Sequence, residues 1–150
     1  MYYHCRMRVT MDTNVLLAAL ISQSGASHKI LSLIIDEAIN LTLSTQVLLE
    51  YNDVLKREEI LKLTRLETEE IEDVLDLLAL LAQKQNIYYR LRPNLRDEED
   101  NLFVECAFAS NTDYLITSNI RDFNSGELKG FGFKVITPKD FYQMWRNDYE

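Results

Sequence analysis

Four acids stand where a carboxylate is expensive unless something holds it: Asp12, Glu50, Asp100 and Asp122. Asp12 opens the polar triplet Asp12-Thr13-Asn14, set between the apolar runs "RVTM" and "VLLAALI". Glu50 falls three residues after Val47 and four before Val54, so it borders the apolar stripe of its helix instead of opposing it. Asp100 shares a helix face with Phe103, Val104 and Ala107. Asn119 and Asp122 lie in "ITSNIRDF", just behind an apolar run. Acids that converge raise one another's pKa values, and a divalent cation relieves the repulsion. With no paired His or Cys nearby, an all-oxygen donor set suits Mg²⁺ or Mn²⁺ and not Zn²⁺. Such an ion activates water and neutralises charge on a phosphate, which is the chemistry of phosphodiester hydrolysis.

Taken singly, each acid has an ordinary reading. Asp12 caps a helix, Glu50 decorates one, Asp100 favours a helix dipole and Asp122 sits in a turn. Their joint placement after strands and on inward faces is what points to chemistry. His4 and His28 are isolated and carry no expectation of metal ligation.

The elements that must position these residues alternate along the chain. "RVTMD" (8–12) reads as a strand, with Asp12 or Thr13 capping a helix from Asn14 to about Leu20. A helix is predicted over 27–40, a strand over 41–44, a helix over 46–61 and a long helix over 68–85. A strand at 86–89, a loop at 91–100 broken by Pro93, and a helix from 100 to 110 follow. Strands at 113–118 and 133–137 precede a last helix at 138–145, with Thr137 as N-cap and Pro138 in its first turn. Such alternation argues for an α/β fold with a parallel sheet covered on both faces. In these folds ligands sit beyond the carboxyl ends of the strands, which is where Asp12, Asn119 and Asp122 fall.

The bulk numbers set limits. The 150 residues, 47% of them apolar with only 4 Gly and 2 Pro, read as one domain spanning 1–150. "MYYHCR" (1–6) reads as a short extension ahead of Met7, a second candidate start. Cys5 and Cys106 lie outside any metal spacing, which fits free thiols and a cytoplasmic protein. No apolar run is long enough for a membrane span. The net charge of −8 weighs against a nucleic-acid partner by the simplest rule. Much of that charge, however, sits in "ETEEIEDVLD" (67–76), a solvated helix face.

The order "MDTNVLLAAL", "STQVLLEYNDVL" and "DEEDNLFVECAFASNTDYLITSNIRDF" resembles the PIN domain, and in particular the VapC-like toxins of bacterial toxin–antitoxin systems. The resemblance runs from about residue 8 to residue 145. It implies a three-layer α/β/α fold with a five-stranded parallel sheet of order 3-2-1-4-5, and a Mg²⁺- or Mn²⁺-dependent endoribonuclease. It also implies Asp12, Glu50, Asp100 and Asp122 as the catalytic acids. Asp12, Asp100 and Asp122 would hold one or two metal ions, and Glu50 would hold a metal-bound water or help deprotonate it. Thr13, Asn14, Thr117, Ser118 and Asn119 would support the site. Many relatives carry an acid where this chain has Asn119, so Asp122, three residues on, is the expected fourth acid. Asp97, Glu98 and Glu99 read first as loop acids. The implied partners are an RNA substrate, an antitoxin protein and a second copy of the chain. Lys56, Arg57, Arg90, Arg92, Arg96 and Arg121 are candidates for the RNA path. Tyr88, Tyr89 and the aromatic residues of "FYQMW" read as core or interface and not as base-stacking platforms.

Two other readings remain. One is a PIN-like module that binds RNA or a partner without cutting. The other is a phosphatase with Asp12 as nucleophile, but the second acid that chemistry needs is Asn14 here.

Overall fold

A computed structural model of the protein describes residues 6–89, 101–123 and 132–149, with the backbone alone at Asn101 and Asp122. Strand β1 (Arg8–Met11) lies at its centre. Side chains alternate across a strand, so Val9 and Met11 face one way and Thr10 the other. All three are fully buried. The sheet is therefore covered on both faces at β1, as an apolar parallel strand requires.

Strand β1 pairs in parallel with β2 (Asn40–Leu41) on one side and β5 (Tyr114–Ile116) on the other. Strand β5 pairs in parallel with β6 (Lys134–Ile136). The register sets Met11 beside Ile116 and Ile116 beside Ile136, so the three strands end together. Helices α1 (Thr13–Ile21), α2 (Ala26–Ile35) and α7 (Pro138–Tyr149) pack as one group. Helices α3 (Thr45–Leu55), α5 (Thr68–Lys84) and α6 (Asn101–Ala109) pack as another. The last helix starts as the sequence predicts, with Asp140 N–H donating to Thr137 Oγ1 at 3.2 Å.

The sheet departs from the expected five strands in the order 3-2-1-4-5. Among the described residues it has four strands in the order β2-β1-β5-β6, and β3 (Leu43–Ser44) pairs separately with β4 (Tyr88–Tyr89). The cause is Thr42, which divides the segment predicted as one strand over 41–44. Its N–H still donates to Val9 O at 2.8 Å, while the next residue, Leu43, donates to Ile87 O at 3.0 Å. The Thr42 hydroxyl is buried against Thr10 Oγ1 at 2.6 Å, and Thr10 Oγ1 meets Thr112 Oγ1 at 2.7 Å. These hydroxyls satisfy one another under the helices, where an unpaired one would be costly.

Two helices also differ from expectation. The helix predicted over 46–61 divides into α3 and α4 (Glu58–Thr64), because Arg57 turns to an extended backbone between them. The helix predicted over 27–40 ends at Ile35, where Glu37 takes a left-handed φ of 61°. Lys84 Nζ holds the Glu37 carboxylate at 3.0 Å, and that hydrogen bond lowers its pKa. No helix among the described residues is long and apolar enough to cross a membrane.

Candidate active site

Strand β1 ends at Met11, and the chain turns at once into α1, leaving Asp12 at the helix start. A helix leaves its first N–H groups unpaired, and an Asp at this place normally accepts from one of them. Asp12 makes no such side-chain cap bond. Its Oδ2 instead accepts from Thr117 Oγ1 at 2.7 Å, across to the neighbouring strand. The backbone ties the same two strand ends, with Asp12 N–H donating to Ile116 O at 2.9 Å.

Thr117 is fully buried and follows β5 directly. Its N–H donates to Ile136 O of β6 at 3.0 Å, which fixes its backbone. Its hydroxyl accepts from Asn119 N–H at 3.0 Å, so the one hydrogen it carries is directed at Asp12. Asn14 Oδ1 accepts from Ser118 N–H at 3.3 Å and joins the first turn of α1 to the same loop. Asp12, Asn14, Thr117, Ser118 and Asn119 thus form one hydrogen-bonded unit at the carboxyl end of the sheet. Thr13 is nearly buried, and its Oγ1 takes no hydrogen bond among the described residues.

Glu50 is half-buried on α3. Its neighbour Tyr51 is fully buried and donates its hydroxyl to Met11 O, the carbonyl just before Asp12. Tyr51 therefore holds α3, and Glu50 with it, against the end of β1 that carries Asp12. Burial, with Cys106 and Asp12 nearby, pushes the Tyr51 hydroxyl well above its ordinary pKa, so it stays a donor. The sequence shows Tyr51 only as part of an apolar stripe; its place beside Glu50 is the single hint of this second task. Asp122 has its backbone in a short 3₁₀ turn, Ile120–Asp122, three residues past the Asp12 unit. Asp100, Asp97, Glu98, Glu99, Arg90, Arg92, Arg96, His4 and Cys5 lie outside the described residues.

Among the described residues no group of three or more His, Cys, Asp or Glu is placed to hold a metal ion. The donors that are described are nonetheless of the type a hard cation takes. Asp12 is held by a hydroxyl and spared from capping, and an unpartnered hydroxyl follows it at Thr13. His28, the described histidine, contacts Ala19 O through Nδ1 at 3.0 Å, a structural role. Two cations expected on an RNA path also pair with acids at the surface. Lys56 pairs with Glu72 at 2.8 Å and Arg57 with Asp53 at 2.9 Å.

A family model described as PIN domain matches residues 8–121, more than half of the chain. The chain belongs to the PIN domain family. Its matched span takes in β1, Asp12, α3 and the loop after β5, so every described element of the hydrogen-bonded unit falls inside it. The PIN domain is also similar to an uncharacterized protein of Methanocaldococcus jannaschii, at 30% identity over 149 residues, covering 92% of this chain and 91% of the relative. No solved structure gives a significant match. PIN domains are generally nucleases, so membership supports phosphodiester hydrolysis in the general sense.

Proposed function

We propose that the protein is a Mg²⁺- or Mn²⁺-dependent endoribonuclease working at the end of β1 and β5. The observation that carries this reading is the 2.7 Å bond from Thr117 to an Asp12 carboxylate that declines its helix-capping role. A carboxylate held from the side by a buried hydroxyl is oriented for a task other than starting a helix. Asp12, Asp100 and Asp122 would hold one or two divalent cations. A bound cation of this kind supplies water activation and charge neutralisation at a phosphate.

The chain's own residues do the rest. Thr117 fixes the Asp12 carboxylate, while Asn119 and Ser118 N–H groups lock the loop that carries Thr117 and meets Asn14. Glu50 takes the proton of the attacking water, its helix held in place by Tyr51. Thr13, next to Asp12, carries a buried hydroxyl that takes no partner among the described residues and supports the site from beneath. The substrate is single-stranded or looped RNA, because an A-form duplex hides its base edges.

A role as the toxin of a VapC-like pair belongs to the same reading, with a small antitoxin protein and a second copy as partners. Leu49, Leu63, Leu80 and Phe108 are exposed and offer apolar surface for such contacts. A cytoplasmic location fits the free, buried thiol of Cys106.

The test is incubation of the purified chain with a mixed pool of single-stranded RNA and Mg²⁺ or Mn²⁺. Cleavage that EDTA, Asp12→Asn and Asp100→Asn each abolish is the expected result. RNA that binds but stays whole at saturating Mn²⁺ would make the protein a non-cutting PIN-like module instead.

A further inference from the structure

We infer that the cleft between α2 and α7 binds the phosphates of a single-stranded nucleic acid flanking the cut site. The cleft has a volume of about 450 Å³ and is lined by Lys29, Lys139, Tyr142, Gln143, Arg146 and Asn147. With Ala26 the lining comes to seven residues, of which three are cations and none is an acid, in a chain whose net charge is −8. Lys29, Lys139 and Arg146 are all exposed. Neither Lys29 nor Lys139 makes an ion pair among the described residues, whereas Lys56, Arg57, Lys62 and Lys84 each do. The two walls are joined by Lys29, whose Nζ lies over the Tyr142 ring, 5.1 Å from its centre. Arg146 lies over the same ring at 5.9 Å.

The placement suits a strand leaving the candidate active site. Helix α7 begins at Pro138, directly after β6, and β6 ends at the carbonyl that Thr117 N–H contacts. Lys139 therefore stands at the same end of the sheet as Asp12. From Lys139 to Arg146 the helix rises about 10 Å, which matches about three phosphates of a stacked strand. Tyr142, Trp145 and Tyr149 stack in sequence along α7, at 6.4 and 6.0 Å between ring centres. Of these rings Tyr142 lines the cleft, and a cationic groove with an aromatic side chain in its wall is a pairing that proteins use for single strands. Gln143 and Asn147 add amide donors of the sort that meet phosphate oxygens. The choice of RNA rests on the nuclease reading above; the binding itself does not need cleavage.

The test separates the two. A labelled single-stranded RNA of mixed sequence is titrated, in EDTA and over a range of salt, against the full chain carrying Asp12→Asn. Adding Lys29→Gln with Lys139→Gln should weaken binding roughly tenfold and lower the salt slope by about 1.4, because each phosphate contact on a single strand accounts for about 0.7. Lys29→Arg with Lys139→Arg should bind as the parent does, and Lys62→Gln on α4 should change nothing. Unchanged RNA affinity and slope in the Gln pair would overturn the inference. So would Lys29-dependent binding of inorganic pyrophosphate with RNA affinity unaffected, which would mark a small-anion site. Cleft-dependent RNA binding with no metal-dependent cleavage by the unmodified chain would leave this inference standing and remove the nuclease reading.

Discussion

Replacing Thr117 with Val removes one hydroxyl and little else, and it strikes the contact on which the site depends. The side chain is fully buried, so no water takes the place of the lost group. Two bonds disappear: the 2.7 Å bond donated to Asp12 and the 3.0 Å bond accepted from Asn119 N–H. A hydrogen bond to a charged group contributes about 1.5–3 kcal/mol and a neutral one about 1. Asp12 is half-buried and regains part of its loss from solvent, so the net cost expected is about 2 kcal/mol. In a chain of this size that lowers Tm by roughly 4–8 °C. The larger effect is on orientation. Loss of a group that orients a ligand typically costs about 10–100-fold in metal affinity. Urea unfolding in EDTA reads the first number, and calorimetric titration with Mn²⁺ reads the second. Thr117→Ser keeps the hydroxyl and should restore Mn²⁺ affinity to near the parent value. If Thr117→Val binds Mn²⁺ as tightly as the parent, Thr117 does not position Asp12 for a metal ion.

Three further outcomes follow from the same geometry. Tyr51→Phe leaves the Met11 carbonyl without its buried donor and should cost about 1–2 kcal/mol in urea unfolding; an unchanged midpoint would contradict the role given to that hydroxyl. Arg65, which closes α4 with a φ of 60°, should gain about 0.5–1 kcal/mol when changed to Gly, since Gly bears no penalty in the left-handed region; a destabilised Arg65→Gly would show that the side chain does more than end a helix. Burial pushes the Cys106 thiol from 9.0 up to about 11, and Tyr51 rises for the same reason. Folded values above unfolded ones mean stability that is complete below pH 9 and lost as the pH rises through about 11. The urea midpoint should therefore hold from pH 7 to about pH 8.5 and fall by about pH 10.5, with Cys106→Ala removing the thiol's share; a flat midpoint across that range would contradict it.

The parts of this fold legible in the sequence are those written by local pattern. An apolar run ending in Asp-Thr-Asn marks β1 and the start of α1. The second apolar run before "TSN" marks β5, and the rule that ligands gather past strand ends places Thr117, Ser118 and Asn119 near Asp12. What stayed hidden depends on contacts between distant segments. "LTLS" alternates like one strand, and only the partners of Thr42 in β1 and the loop before β5 show why it divides. Tyr51 looks apolar until Met11 O lies at its hydroxyl. Lys29 and Lys139 lie far apart in the sequence, and only the packing of α2 on α7 brings them to one cleft. Lys56 and Arg57 show the opposite case, a local reading to which the fold adds partners. They read as a cationic pair for RNA, yet each has an acid within reach on its own or a neighbouring helix.

On the proposed function, the Asp12–Thr117 pair is the positioning unit of a metal-dependent nuclease. Single-turnover cleavage of one single-stranded RNA by the parent, Thr117→Val and Asp12→Asn, each with saturating Mn²⁺, tests it most directly. A graded order is expected: Thr117→Val about 10–100-fold slower than the parent, and Asp12→Asn no faster than the parent in EDTA. Equal rates for the parent and Asp12→Asn would return Asp12 to the role of a helix-starting residue and place the chemistry elsewhere.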